Sequence, residues 1–517
     1  MKNICLGLLL IFFAQAGFAQ NVMISDAYHP NEPSIIMNPK NPAQVFAAAN
    51  LSSYYISLDT GKTWTSHQMT SNSGVWGDPA LLIDTSGAFY YFHLSNPPVG
   101  TFVDRIVCQK SIDQGNSWVI DTFTGLNSPK VQDKAWPVVN RTNNHLFVTW
   151  TEFDQYESSD PADSSRIMFS KSLDGGATWS PAKKINQVNG DCLDSDNTVE
   201  GATPAIGPNG EIYVAWAGPE GIVFDRSLDE GSTWLDEDIF ITDFPGGWDY
   251  GIPGIYRANG LPVTKCDLSG GEHHGTIYVN WTDQRNGTND TDVWLAKSTD
   301  GGNTWSAPIR VNDDPAGKHQ FFTWMDIDQT TGCLYFVFYD RRHYTDNHTD
   351  VYLALSKDGG NTFINRKISE SPFFPDSGVF FGDYTNITVH DGIVRPIWTR
   401  LDDGGLSVWT DVTPSDKLFT GTREASANIE SLKTYPNPAS AKETAYISFK
   451  LHEATKVSIT IYNAAGQLVY QPLAQKKLGY GKHIIPVDLK KLGLHSGAYF
   501  YTLDIGGKKL SKKLVVE

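Results

Sequence analysis

Two carboxylates and a phenol that could move protons, Asp78, Asp133 and Tyr384, lie far apart in this chain, as do four arginines, Arg285, Arg341, Arg342 and Arg400. Brought together, they would do one kind of chemistry. Guanidinium groups grip a carboxylate or sulfate through paired hydrogen bonds. A carboxyl group beside the bound unit then donates or removes a proton, with the tyrosine as nucleophile or acid, and aromatic neighbours stack on sugar rings. The arginines also have a plainer reading. Asp283-Gln284-Arg285, followed by Thr291-Asp292-Val293-Trp294, returns as Asp340-Arg341-Arg342, followed by Thr349-Asp350-Val351-Tyr352. A repeated Asp and Arg can simply form ion pairs between neighbouring units.

The elements that must position these residues repeat. Six segments share the form Ser-x-Asp-x-Gly-x-Thr/Ser-Trp/Phe: Ser57 to Trp64, Ser111 to Trp118, Ser172 to Trp179, Ser227 to Trp234, Ser298 to Trp305 and Ser356 to Phe363. Their chemistry is that of a turn: the Asp accepts backbone N–H groups, the Gly permits a positive φ, and the aromatic ring is free to insert between sheets. These segments resemble the Asp-box, or BNR repeat, of sialidases and related propellers, which implies a hairpin between the third and fourth strands of a blade. Two strand-like runs precede each box, beginning near Pro33, Asp78, Trp136, Thr203, Gly254 and Thr323, and a seventh pair near Asp383 lacks a box. The expected fold is all-β: a β-propeller of seven blades, with six as the alternative, followed by a small β-sandwich. The seventh unit has three strands, and Asn21 to Ser25 is available to complete it.

Antiparallel alternation then decides which residues share a face. Opposite the boxes, first-strand starts supply Glu32, Asp78, Asp133, Lys134, His319, Asp383 and Tyr384. Second-strand ends supply Glu152, Asp283, Arg285, Asp340, Arg341, Arg342 and Arg400. Sialidases surround the substrate carboxylate with three arginines, the first in an Arg-Ile-Pro element before the first box. Here the first arginine is Arg105, and Arg105-Ile106-Val107 and Arg166-Ile167-Met168 lack the proline. The resemblance implies a glycan-active enzyme, an exo-acting glycoside hydrolase or a polysaccharide lyase on acidic glycans. The alternative is a non-catalytic propeller that binds glycan or protein outside the cell.

Residues 1–19 read as a secretory signal peptide: Lys2, an apolar run from Leu6 to Phe13, and Gly17-Phe18-Ala19 before the cleavage point. The propeller is expected over 20–413, a linker over 414–432 and a second domain over 433–517. From Lys433 onward there are 13 Lys and no Arg against 5 Asp or Glu, although the whole chain carries −17. The acidic body argues against nucleic acid as a partner. Thr434-Tyr435-Pro436-Asn437-Pro438, the strand-like runs after it and the terminal Lys512-Lys513-Leu514-Val515-Val516-Glu517 resemble type IX secretion sorting domains. That resemblance implies the secretion machinery as a partner, and export across the outer membrane of a Gram-negative bacterium to the surface or the medium. A monomer without membrane insertion is expected. Cys108, Cys192, Cys266 and Cys333 lack metal-site spacing, and stand either as disulfides or as buried thiols. Asp191, Asp194 and Asp196 form an acidic loop without the EF-hand Gly and Glu, and adjacent His273 and His274 point apart on a strand. No metal site and no cofactor are expected.

Overall fold

Runs such as Phe89–Leu94, apolar but for His93, and Ile212–Gly218 are buried at every position. Such continuity marks strands covered on both faces. The outer strands are short and polar instead, as in Thr65–Gln68 and Lys183–Lys184. A computed structural model describes residues 20–420, 429–451, 455–479, 481–505 and 508–517. The expected signal peptide, 1–19, lies outside the described residues.

The chain divides into two units, meeting between Phe419 and Thr420. The first contains seven four-stranded antiparallel sheets. Six are built from consecutive strands, as in Ser34–Met37, Val45–Ala49, Ser53–Ser57 and Thr65–Gln68. The seventh joins Asn386–His390, Ile393–Asp402 and Gly405–Asp411 to Asn21–Ser25, with Asn21 opposite Asp411. The first strand of each sheet packs on that of the next, and the seventh packs on the first.

The repeated turns link third to fourth strands. In the first, Ser57 Oγ donates to Asp59 Oδ1 at 2.8 Å and accepts from the Gly61 N–H at 2.8 Å. Asp59 then accepts from the Thr63 N–H at 2.9 Å and the Thr63 hydroxyl at 2.7 Å. The closing aromatic packs on the preceding sheet: Trp234 on Phe169 and Trp305 on Phe224, with centroids 5.1 and 5.2 Å apart. Gly302 must be glycine, because its φ is 93° and a Cβ there would lie 2.2 Å from the Phe224 ring.

Two segments differ from expectation. The fifth sheet begins at Val263–Cys266, later than Gly254, because residues 243–262 run as loop and bury Tyr250, Ile252 and Ile255. The segment read as linker opens with a helix, Ser415–Thr420, whose Leu418 is buried. The four cysteines are free thiols, and burial pushes the Cys266 thiol up to about 12. No helix among the described residues is long and apolar enough to cross a membrane.

The second unit pairs a three-stranded sheet, Ile429–Tyr435, Thr444–Leu451 and Gly481–Asp488, with a four-stranded one. The latter runs Leu468–Leu478, Thr455–Asn463, Gly497–Ile505, Lys508–Val516. Ile447, Phe449, Ile459 and Leu503 from the two sheets share one core.

Asn21–Ser25 contributes the buried Ile24 to the core beneath the first and seventh sheets, whereas Met23 is 45% exposed. Ile24→Ala should therefore cost about 2–4 kcal/mol in urea denaturation, and Met23→Ala no more than about 0.5 kcal/mol. Equal effects would mean that the strand is not seated in the sheet.

Candidate functional site

The first strands enter the centre of the first unit through a repeated irregularity. Register slips between Gly77 and Ala80, Asp133 and Trp136, Glu200 and Thr203, and Phe321 and Trp324. At the slip the backbone turns left-handed: Asp78 has φ 51°, Lys134 47° and Phe322 50°, and Glu32 reaches 48° at the mouth of the first sheet. A non-glycine residue in this region costs about 1–3 kcal/mol and persists where its surroundings impose it. Here the kink brings the Asp78 and Lys134 side chains towards each other at the centre.

A buried ion cluster holds that centre. Asp383, from the approach to the seventh sheet, accepts from Lys134 Nζ at 2.8 Å and from Arg257 Nε at 2.9 Å, with Arg257 Nη2 on its other oxygen. Arg257 Nη1 pairs with Asp194 at 2.6 Å, and Asp194 also accepts from the Tyr156 hydroxyl at 2.6 Å. The guanidinium lies over the rings of Trp248 and Phe380. Burial would raise the Asp383 pKa, but Lys134 and Arg257 outweigh it and hold this carboxyl well below the usual range. Burial likewise opposes the charge on Lys134, and Asp383, then Asp133, keeps its pKa above normal.

Above the cluster opens a cavity of about 440 Å³. Glu32, Asp78, Asp133 and Lys134 are among its lining, with Tyr28, Trp76, Phe102 and Phe380. Trp76 and Phe102 meet edge to face at 4.6 Å and are 40% and 47% exposed. Asn50 ties two of these residues together: its Nδ2 donates to the Glu32 carboxylate, and its Oδ1 accepts from the Asp78 backbone N–H at 2.7 Å. This close approach demands Gly77, whose Cβ would fall 2.4 Å from Asn50 Oδ1. Asp78 lies 4.0 Å from Lys134 Nζ. Burial, with Asp78 adding to it, pushes Asp133 up to about 6 despite Lys134. Burial, then Asp78 and Asp383, raises Glu32 well above its ordinary value.

The structure thus brings Asp78 and Asp133 to one cavity, but not Tyr384. That ring packs edge-on to Trp136 at 5.2 Å and lines a separate void of about 20 Å³. Burial, reinforced by Asp78 and Glu32, raises its pKa well above the usual phenol value.

The four arginines do not converge, and none lines the cavity. Arg285 turns back onto Asp283, with Nη2 2.5 Å from Oδ2. Arg342 does the same with Asp340 at 2.7 Å and adds Asp313 at 2.6 Å, and Arg400 pairs with Asp402 at 2.9 Å. Spacing of i, i+2 at a strand end lets the turn close each pair locally, so ion pairing prevails over a shared cationic pocket. Arg341 is buried, donating to Thr349 Oγ1 at 3.0 Å and to the Pro253 carbonyl at 2.6 Å.

Arg257 escapes a reading from strand starts because it stands on a loop outside the repeat, whereas Asn50, directly after Val45–Ala49, stands at a second-strand end and escapes it as an uncharged amide. Asp194, in the acidic loop with Asp191 and Asp196, has Arg257 as its partner; Asp191 accepts from Thr198 and Asp196 from the Asp249 N–H. Among the described residues no group of three or more His, Cys, Asp or Glu is arranged to hold a metal ion.

Residues 433–517 match the family model of the secretion system C-terminal sorting domain. The chain ends in a type IX secretion sorting domain. The protein is accordingly exported across the outer membrane, to the cell surface or the medium. No curated protein matches the chain. Among solved structures, a Hadza microbial sialidase is similar at 13% identity and TM-score 0.42, covering 72% of this chain and 74% of its own. An ulvan lyase has 12% identity and TM-score 0.44, with 77% and 96% covered. An α-L-arabinanase of Penicillium chrysogenum has 15% identity and TM-score 0.39, with 63% and 94% covered.

Asp133 holds its proton more tightly in the folded state than in the unfolded chain. Its contribution to stability is therefore present below the ordinary carboxylate range and lost as pH rises through about 6. The stability of Asp133→Asn relative to the unmodified protein should rise across that window in urea titrations at a series of pH values. Parallel pH–stability curves would contradict the burial of Asp133.

Proposed function

We propose that the first unit is a seven-bladed propeller whose central cavity is the active site of a secreted glycoside hydrolase. One observation carries the reading: exposed aromatic rings, Trp76 and Phe102, stand over a floor where Asp78 and Asp133 face the same cavity. Aromatic faces stack on pyranose rings, and carboxyl groups in different environments divide the work of acid and base. Asp133, pushed up to about 6, keeps its proton to a higher pH than an ordinary carboxyl group and donates it to the glycosidic oxygen. Asp78, beside the Lys134 ammonium, acts on the opposite side as base or nucleophile. Tyr384 supports the floor through Trp136 and takes no part in the chemistry.

Charge accounting favours hydrolysis over elimination. A lyase acting on a uronate needs cations to neutralise the substrate carboxylate. Lys134 and Arg257 are committed to Asp383 and Asp194, and the four arginines of the strand ends lie elsewhere. The six repeated turns carry structure, on the side away from the cavity.

The test is a panel of polysaccharides incubated with the purified protein, reading new reducing ends and unsaturated products separately. Asp133→Asn should lower kcat by about 10²–10⁴, and Trp76→Ala should raise KM with a smaller effect on kcat. Unsaturated products would replace hydrolysis by elimination. Saturable binding without cleavage would make the propeller a binding module.

A further inference from the structure

The cavity is short of positive charge. Its two floor cations are satisfied from below: Lys134 and three nitrogens of Arg257 lie on Asp383 and Asp194. Glu32, Asp78 and Asp133 remain facing the space above. Asn50 engages one oxygen of Glu32 with a neutral donor. Beneath the cavity the same cluster holds Glu200, fully buried, with neither carboxylate oxygen hydrogen-bonded. Six carboxylates thus share two cations. The upward shifts of Glu32, Asp133 and Glu200, each led by burial, are the response of the folded protein to that shortage.

An anionic sugar would bring one more negative charge into a partly desolvated space whose acidic groups already outnumber the cations. A primary ammonium has the opposite effect. Its three N–H donors match a floor that offers acceptors, and its charge is attracted to the faces of Trp76, Phe102 and Tyr28 at the rim. Resting on the glycan reading above, we propose that the sugar taken by this cavity bears a free amine. Glu32 and Asp78 receive the ammonium, Asp133 stays at the glycosidic oxygen, and the aromatic rim receives the ring. This replaces the acidic glycan inferred from the four arginines, none of which lines the cavity.

Calorimetry on the purified protein near neutral pH, with a glucosamine oligomer, its N-acetylated counterpart and a galacturonate oligomer, tests the assignment. Quenching of Trp76 fluorescence, checked with Trp76→Phe, locates the binding. The glucosamine oligomer should bind at least about tenfold more tightly than the N-acetylated one, as expected for one added ion pair in a partly screened site. Galacturonate should not saturate, and Glu32→Gln should remove most of the preference for the amine. Equal affinity for amine and acetamide, or tighter binding of galacturonate, overturns the proposal while leaving a glycan site in place. Absence of binding by any sugar defeats both readings. Binding of oligolysine in preference to the amino sugar overturns the proposal in favour of a basic peptide.

Discussion

One buried carboxylate organises the centre of this protein. Asp383 receives Lys134 from the third sheet and Arg257 from the loop before the fifth. None of the three is tolerable there alone: an ion taken out of water costs several kcal/mol, and removing one partner of a buried pair costs about 3–5 kcal/mol. Together they impose a shape. The left-handed kink at Lys134 brings its ammonium to Asp383, and residues 243–262 leave the sheet to deliver Arg257. The Asn259 side chain of that loop donates to the Asp383 carbonyl at 2.9 Å.

That arrangement has a chemical consequence. By engaging both cations closely, Asp383 and Asp194 leave the carboxyl groups above them short of counterions, Asp78 reaching Lys134 only at 4.0 Å, and burial then separates their roles. Asp133 is set to hold its proton up to about pH 6, while Asp383 stays ionised. The arginines at the strand ends obey the same rule of local satisfaction. Each of Arg285, Arg342 and Arg400 closes on an Asp two residues away, so each stabilises its own sheet and leaves no charge to spare.

Much of the fold was legible because it repeats. Ser, Asp, Gly and Thr at fixed offsets define a turn whose hydrogen bonds are internal, so each copy can be read from eight residues. Placing strands around those turns brought Glu32, Asp78, Asp133, Lys134 and Asp383 to one face, and the basic, strand-rich tail marked the sorting domain. The site was less legible where position depends on loops. Arg257 carries no periodic signal, Asn50 at a second-strand end carries no charge to single it out, and the left-handed kinks leave no trace in residue type at Asp78 or Lys134. The Asp-x-Arg repeats pointed to a cationic pocket because their chemistry suits one. What sequence does not show is that a turn of two residues lets each pair neutralise itself.

The most direct test is a crystal structure of the protein with a bound oligosaccharide. The account predicts a sugar ring against Trp76 and Phe102, its glycosidic oxygen within hydrogen-bonding distance of Asp133, and the ion cluster of Lys134, Arg257 and Asp383 unchanged beneath it. A ligand held by Arg341 or Arg342 instead, with the central cavity empty, would contradict it.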